Sequence, residues 1–158
     1  PYIAGFFLAI LFYYFWLKDS KKANVCFFIL ASLLSAGALC DILKFLFGRS
    51  RPNLLFSSHL YGFHFFKTQA LMISFPSGHA TIISVIAMAM ALLKPKLKWL
   101  FFALALLVGF SRVFLTAHFV SDVIMGFYLG SSTTLICYHF FIKKNFFSQF
   151  ILKLPRKN

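Results

Sequence analysis

Long runs of apolar residues, none containing a Lys, Arg, Asp or Glu, dominate this sequence and limit what it can fold into. The runs cover residues 1–17, 23–40, 80–93, 99–111 and 123–142. A helix needs about 20 apolar residues to cross the hydrocarbon core of a bilayer. The second and fifth runs come close to that length, and the third and fourth reach it if their polar ends extend the helices. The pattern therefore predicts an all-α, polytopic bundle of five transmembrane helices.

The composition agrees with a membrane protein and argues against a nucleic-acid-binding one. Of the 158 residues, 61% are hydrophobic and 20% aromatic, whereas a soluble domain is about half apolar. The chain has 16 Lys and Arg residues against 3 acidic ones. These cations fall in short clusters between apolar runs, not on a polar surface that could meet nucleic acid. We therefore expect one membrane domain over residues 1–158, surrounded by the lipid bilayer and without a nucleic-acid partner.

The basic clusters predict the orientation of the helices, which alternate between the two sides of the membrane. Eleven of the 16 cations share one side, which the positive-inside bias makes cytoplasmic. They are Lys18, Lys21, Lys22, Lys94, Lys96, Lys98, Lys143, Lys144, Lys153, Arg156 and Lys157. The other side holds Lys44, Arg49, Arg51, Lys67, Arg112, Asp41, Asp122, His79 and His118. We expect an integral protein of a bacterial cytoplasmic membrane with its functional site facing the periplasm or exterior.

The segments between and beside the runs are assigned by their polarity. The linker 53–72 joins the second and third runs on the extracytoplasmic side, as an interfacial hairpin or short helix or as a loop that packs on the bundle. The tail 145–158 is basic and aromatic, and we expect it along the cytoplasmic surface. The chain starts at Pro1, and its first run lacks the basic leader and cleavage site of a signal peptide. We therefore expect that the true N-terminus is missing.

Small residues within the runs have structural interpretations. Gly126 and Gly130 are four residues apart and predict close packing of the last helix within the chain, without being a sign of a dimer. Cys26, Cys40 and Cys137 lie inside apolar runs and lack metal-type spacing. We expect these cysteines to be buried as small hydrophobic residues.

Three cations, Lys44, Arg51 and Arg112, are predicted to gather at the extracytoplasmic membrane surface. An ionisable group within a span costs about 2.5–3.5 kcal/mol, so such groups are usually paired or functional. The acids on that side are too few to neutralise them. A bound anion would, because arginine forks and a lysine charge match phosphate oxygens. Ser77 and Gly78 come just before a helix, where free N–H groups form an anion site.

Two histidines are suited to chemistry on such an anion. His118 and Asp122 are four residues apart and share a face if both lie on a helix. The carboxylate would fix the imidazole tautomer and leave the other ring nitrogen free to attack phosphorus. His79, at the start of the third run, could protonate the leaving oxygen as a general acid. The nearby cations would stabilise charge in the transition state.

The remaining polar side chains receive structural interpretations. Interfacial positions are expected for His59, His64 and His139. Contacts with lipid headgroups are expected for Arg49 and Lys67. Asp41 lies three residues before Lys44, so an intrahelical ion pair is expected. A metal site is not expected, since two histidines and few carboxylates among many cations bind a divalent cation poorly.

Three blocks of sequence carry a family resemblance. They read K-x6-R-P from Lys44, P-S-G-H from Pro76 and S-R-x5-H-x3-D from Ser111. All 11 specified positions are present, in order and without substitution. In these blocks the chain resembles the type 2 phosphatidic acid phosphatase superfamily, in its membrane-bound branch. The blocks extend from Lys44 to Asp122, about half of the chain.

The resemblance implies a role for each matched residue. Phosphate binding is implied for Lys44, Arg51 and Arg112, assisted by Ser77 and Gly78. His118 would form a phosphohistidine, oriented by Asp122, and His79 would act as the acid and later activate water. No metal or other cofactor is implied. Membrane members of the family have six helices, so the first of the six would be absent from the five expected here.

The resemblance also implies a lipid phosphate as substrate, with lipid A, undecaprenyl pyrophosphate and phosphatidylglycerophosphate as candidates. Two other functions stay open. Vanadate haloperoxidases resemble this family and hold vanadate in a similar pocket, but they are soluble, unlike this apolar chain. A non-enzymatic protein that binds or transports lipid phosphates would need the cations, but neither His79 nor the pair of His118 and Asp122.

Overall fold

The computed structural model describes residues 20–66 and 68–143, together with Ile10 and Tyr13. The α-helices within them are Ser20–Phe47 (α1), Pro52–Ser58 (α2), Gly78–Leu93 (α3), Lys98–Phe114 (α4) and Val120–Cys137 (α5). Short 3-10 helices lie at Ala70–Met72 and Pro95–Leu97, and a π-helix lies at Tyr138–Lys143. These described ranges contain no β-strand beyond an isolated bridge between Arg49 and Phe63. The predicted all-α class is therefore confirmed.

Four of the five predicted helices are present as α1, α3, α4 and α5. The first run, 1–17, lies outside the described residues except for Ile10 and Tyr13, and so does the predicted tail, 145–158. Within the described ranges, three segments are long and apolar enough to cross a membrane. They are Lys22–Phe47, Pro95–Phe114 and Val120–Phe141, with 26, 20 and 22 residues. The helix α3 is shorter, with 16 residues.

The helix α3 lies at the centre of the bundle, which explains its many small residues. It packs against α1, α4 and α5, and its alanines, among them Ala80 and Ala89, are buried in these contacts. The helix α4, in contrast, leaves large apolar side chains such as Trp99, Phe110 and Phe114 exposed. An apolar helix with an apolar exposed face is suited to contact with lipid.

The main apolar core joins α1, α3 and α5. Phe28 of α1, Val85 of α3 and Cys137 of α5 belong to it. Cys26 and Cys40 are also buried, and all three thiols are free. The prediction that the cysteines serve as small buried hydrophobic residues is therefore confirmed.

Gly126 and Gly130 bring α5 into backbone contact with α3, which is the packing within the chain that their spacing predicts. A Cβ atom on Gly126 would come within 2.7 Å of the carbonyl oxygen of Ser77 and 2.9 Å of the Cβ of Ala80. A Cβ atom on Gly130 would overlap the carbonyl oxygen of Thr81. Such separations are shorter than van der Waals contacts, so this helix crossing requires glycine at both positions.

The linker between α1 and α3 contains α2 and a 3-10 helix, and the rest of its backbone is bonded to the segment that follows α1. Pro52 begins α2 at a position where its missing N–H is not needed. The N–H of Ser50 donates to the oxygen of Gly62 at 3.1 Å, and the N–H of His64 donates to that of Gly48 at 2.9 Å. Of the alternatives predicted for the linker, the short helix is present at Pro52–Ser58, and a packed loop is present around Gly62 and His64.

Replacing Gly130 with alanine is expected to destabilise the bundle, because the added methyl group forces α5 away from the Thr81 backbone. Overpacking of this kind costs about 1–3 kcal/mol. The matched control is Gly37→Ala in α1, where nothing lies within 4 Å of the new Cβ and helix propensity rises. Thermal unfolding in detergent should show a lower midpoint for Gly130→Ala and an unchanged or higher one for Gly37→Ala. Equal midpoints would contradict the packing.

Candidate active site

A pocket of about 300 Å³ opens at the end of the bundle where α3 begins. It is lined by Lys44, Arg51, Gly78, His79, Ile82, Arg112, Ala117 and His118. Six of the eight predicted site residues are thus brought together from three separate parts of the sequence. The other two, Ser77 and Asp122, are fully buried and do not line the pocket.

Lys44 reaches the pocket from the last turn of α1 and lies close to Gly78. A Cβ atom on Gly78 would come within 3.1 Å of the Nζ atom of Lys44, so a side chain there would displace the ammonium group. The predicted ion pair with Asp41 is present but long, with 3.9 Å between Nζ and Oδ1, and the Asp41 side chain is 80% exposed. Solvent screens such a pair, so the charge of Lys44 remains effective in the pocket.

The two pocket arginines belong to segments that are held by backbone and side-chain bonds. Arg51 precedes α2, and its N–H donates to the oxygen of Leu71 at 2.9 Å. The Nε atom of Arg51 is buried and has no hydrogen-bond partner within the described part of the chain. Arg112 lies in the last turn of α4, and its Nε donates to the Oγ of Ser111 at 3.2 Å. A buried donor without an acceptor is costly, and an anion in the pocket would supply the acceptor.

The turn before α3 places the N-terminus of that helix at the pocket. The Oγ of Ser77 caps the helix by accepting from the N–H of Ala80 at 3.5 Å. The N–H of Ser77 donates to the carbonyl oxygen of Asp122 at 3.0 Å. The hydroxyl group of Ser77 is therefore engaged by the helix, whereas Gly78 and His79 line the pocket. His79 is exposed, so its imidazole is accessible.

His118 lies in the loop between α4 and α5, so the condition for a shared helical face with Asp122 is not met. Its Nδ1 atom is 3.7 Å from the Oδ2 of Asp122, which is too long for a hydrogen bond. The same Nδ1 is 2.9 Å from the carbonyl oxygen of Ser74. Because a carbonyl oxygen accepts and never donates, Nδ1 carries a proton, and in the neutral ring Nε2 then has the lone pair. The backbone of Ser74 therefore sets the tautomer.

The carboxylate of Asp122 is fully buried and bonded at both oxygens. Its Oδ1 accepts from Nη1 of Arg49 at 2.6 Å. Its Oδ2 accepts from the Oγ of Ser74 at 2.6 Å and from the N–H of Phe119 at 3.0 Å. The bond to Phe119 closes the first turn of α5 and holds the residue next to His118. Asp122 thus fixes the loop of His118 from behind the pocket.

Arg49 is not the headgroup contact predicted above. Its side chain is buried, and Nη1 donates to the Oγ of Ser121 as well as to Asp122, each at 2.6 Å. The guanidinium carbon lies 4.2 Å from the centroid of the Phe119 ring. The physical reason is the buried carboxylate, since an unpaired charge in a protein interior costs several kcal/mol more than a paired one.

Arg49 and Ser74 are the site residues that the sequence does not reveal. The shortage of acids indicates that Asp122 pairs with a cation. No sequence spacing, however, selects Arg49 among the five cations predicted on the extracytoplasmic side. Ser74 acts through its carbonyl oxygen, which any residue would offer. Its position two residues before the P-S-G-H block is the one sequence feature that associates Ser74 with the site.

Three other predicted polar residues, His59, His64 and His139, do not line the pocket. His59 and His139 are exposed, and the Nε2 atom of His64 is buried without a partner in the described ranges. Lys67 lies outside the described residues. Among the residues that the structure describes, no three His, Cys, Asp or Glu side chains are grouped as metal ligands.

This chain is similar in sequence to a family model and to several known proteins. The model of the PAP2 superfamily matches residues 25–146. Lipid A 1-phosphatase of Rhizobium etli is 35% identical over 109 residues, which is 69% of this chain and 47% of the relative. Undecaprenyl-diphosphatase of Sulfolobus acidocaldarius is 33% identical over 116 residues, 72% of this chain and 53% of the relative. Lipid A 4'-phosphatase of Porphyromonas gingivalis is 30% identical over 148 residues, 86% of this chain and 58% of the relative.

No solved structure matches the chain significantly. The chain spans about half the length of the relatives described above. The family match covers well over half of the chain and includes every residue that lines the pocket. On this match and on the identities with these relatives, the protein belongs to the PAP2 superfamily.

Proposed function

We propose that this chain forms the catalytic part of a membrane lipid phosphatase, which releases phosphate from a monoester or pyrophosphate on a lipid headgroup. The pocket carries the proposal, because three cations and two histidines line it and none of the carboxylates in the described ranges does. A small cavity with these polar groups is suited to a phosphoryl group.

Binding of the phosphoryl group would rest on Lys44, Arg51 and Arg112. Two guanidinium forks match pairs of phosphate oxygens, and the ammonium group adds a point charge. The N-terminus of α3 would add its free N–H groups at Gly78, where the missing side chain lets the anion approach the backbone. Ser77 would assist as the cap of this helix. Fixed positive groups of this kind also stabilise charge in the transition state.

The first chemical step would be the attack of His118 Nε2 on phosphorus. A bond forms between Nε2 and phosphorus while the bond from phosphorus to the lipid oxygen breaks. The lipid oxygen takes a proton from His79, which acts as general acid. The imidazole keeps the proton on Nδ1, which stays hydrogen-bonded to the Ser74 carbonyl oxygen. The Asp122 carboxylate, 3.7 Å from Nδ1, stabilises the positive charge that develops on the ring.

The second step would free inorganic phosphate. His79, now neutral, accepts a proton from water while the water oxygen attacks phosphorus and the bond to Nε2 of His118 breaks. Both histidines then return to their starting protonation states. The pocket cations offset the charge on the phosphoryl oxygens in both steps, and we propose that no metal ion takes part.

The names of the relatives narrow the substrate class to phosphorylated lipids. They include lipid A 1-phosphatase, lipid A 4'-phosphatase and undecaprenyl-diphosphatase. Lipid A and undecaprenyl pyrophosphate are therefore the first candidates, followed by phosphatidylglycerophosphate. Each carries its phosphate at headgroup depth, where a pocket at the end of membrane-spanning helices would meet it.

The proposed site faces the extracytoplasmic side of a bacterial cytoplasmic membrane. The pocket lies where α3 begins, and the exposed Lys94, Lys96 and Lys98 lie just beyond its other end. The positive-inside bias assigns the lysine-rich end to the cytoplasm. The exposed rings of Tyr61 and Phe65 in the linker would then lie at the level of the outer headgroups.

Phosphate release from a panel of lipids tests the activity. Purified protein receives lipid A, undecaprenyl pyrophosphate or phosphatidylglycerophosphate, each with and without a chelator. We expect release from at least one of the first two, at equal rates with chelator, because the protein's own cations supply the positive charge. Activity that is lost with chelator and restored by a divalent cation would contradict the metal-free mechanism. Lipid binding without any release would favour the binding or transport alternative.

Replacing His118 with alanine removes the proposed nucleophile and should lower kcat by about 10³-fold or more. The matched control is His139→Ala, because His139 is exposed and does not line the pocket. Rapid quenching after addition of radiolabelled lipid should trap an acid-labile phosphoenzyme in the wild type and in His139→Ala, but not in His118→Ala. Wild-type turnover by His118→Ala would exclude the nucleophile assignment.

Cysteine accessibility tests the orientation. The native cysteines are buried, so Asn53→Cys and Lys96→Cys each add an exposed thiol, at opposite ends of α3. An impermeant maleimide should label Asn53→Cys in intact cells and Lys96→Cys only after lysis. The reverse pattern would place the pocket on the cytoplasmic side.

A further inference from the structure

Arg49 is a buried cation to which the mechanism above gives no role. It does not line the pocket, so it cannot touch a bound phosphoryl group. We propose that Arg49 is a positioning residue for His118 that acts through Asp122 and Ser74, an inference that rests on the proposed phosphatase function.

The side chain of Arg49 fixes the carboxylate from behind the pocket. Nη1 bonds to Asp122 and Ser121, which both lie in the first turn of α5. The guanidinium group also lies over aromatic rings, at 4.2 Å from the centroid of Phe119 and 5.3 Å from that of Phe63. The bonds of the guanidinium nitrogen and the ring contacts on the faces of the group together restrict it to one orientation.

The backbone of Arg49 holds the second partner of the histidine. Its carbonyl oxygen accepts from the N–H of Ser74 at 2.9 Å. The hydroxyl of Ser74 donates to the Oδ2 of Asp122, and its carbonyl oxygen accepts from Nδ1 of His118. Arg49, Asp122 and Ser74 therefore form a closed ring of hydrogen bonds. Both groups that surround Nδ1 of His118 depend on this ring.

Removal of the guanidinium group would leave Asp122 as a buried carboxylate with an uncompensated charge. Such a carboxylate takes another donor when one is within reach. Nδ1 of His118 is 3.7 Å from Oδ2, so a small rotation of the imidazole would exchange the Ser74 carbonyl oxygen for the carboxylate. That rotation would move Nε2 away from the position in which it meets phosphorus.

A purely structural ion pair would make the same contacts but respond differently to substitution. Structural damage would disturb the whole pocket and weaken phosphate binding together with turnover. Loss of positioning would lower turnover alone, because the guanidinium group of Arg49 bonds to Asp122 and Ser121 and not to the pocket cations. The inhibition constant of inorganic phosphate distinguishes the two roles, because structural damage would raise it and loss of positioning would not.

Steady-state kinetics of Arg49→Ala and Arg49→Lys provide the first test, with Lys96→Ala as a control that removes an exposed cation at the other end of α3. We expect kcat to fall about 10–100-fold in both Arg49 variants, with KM and phosphate inhibition unchanged. Lysine does not restore kcat, since an ammonium group lacks the planar fork and ring stacking. Wild-type kcat in both variants would overturn the proposal, as would a parallel loss of turnover and phosphate inhibition.

Nitrogen NMR of isotope-labelled histidine provides a second test that does not depend on turnover. The signals of His118 are those missing from His118→Ala. We expect protonated Nδ1 in the wild type and in Arg49→Ala, or in Arg49→Lys if the alanine variant fails to fold, but a shifted Nδ1 signal in the variant because the acceptor changes from the Ser74 carbonyl oxygen to the Asp122 carboxylate. Identical nitrogen shifts of His118 in wild type and variant would overturn the proposal. Absence of phosphatase activity in the wild type would refute the proposed function, and the nitrogen shifts of His118 would still decide the role of Arg49.

Discussion

A carboxylate without access to solvent, that of Asp122, determines how this end of the bundle is built. A buried charge is tolerated when it is paired and hydrogen-bonded at each oxygen. Its oxygens meet Arg49 and Ser74 at 2.6 Å and the N–H of Phe119 at 3.0 Å. These donors come from the segment after α1, the segment before α3 and the start of α5. One ionised group therefore joins three parts of the chain that are far apart in sequence.

Helix packing brings Asp122 to this position. The helix α5 lies directly on α3 because Gly126 leaves room for the carbonyl oxygen of Ser77, and the N–H of Ser77 donates to the carbonyl oxygen of Asp122. The same contact sets the start of α3, which carries His79, and the start of α5, which His118 precedes. Backbone contact between two helices thus helps to set the separation of the two histidines that we propose act on one phosphoryl group.

The sequence predicts the properties that depend on local composition and spacing. Apolar runs identify α1, α3, α4 and α5, because a membrane span is defined by its own residues, and the three blocks identify the pocket lining. Local composition and spacing do not predict which residues pair with buried polar groups. The sequence favours a headgroup contact for Arg49, because cations near a membrane surface usually lie there. The spacing of His118 and Asp122 does not show whether both lie on one helix. The helix begins later because Asp122 accepts from Phe119, and Ser74 acts through a backbone atom that no motif encodes.

The scarcity of acids gives the pocket its charge. The chain has 3 acidic residues; Asp122 is engaged by Arg49, and Asp41 lies in solvent. Within the described part of the chain, the three pocket cations therefore have no buried counter-ion, and the Nε of Arg51 lacks an acceptor. Like charges held together repel one another, and a phosphoryl dianion relieves that repulsion. Because Arg49 pairs with Asp122 behind the pocket, the carboxylate would not compete with a bound phosphate for these cations. The ion pair that we propose to orient the histidine would thus also keep the pocket positive.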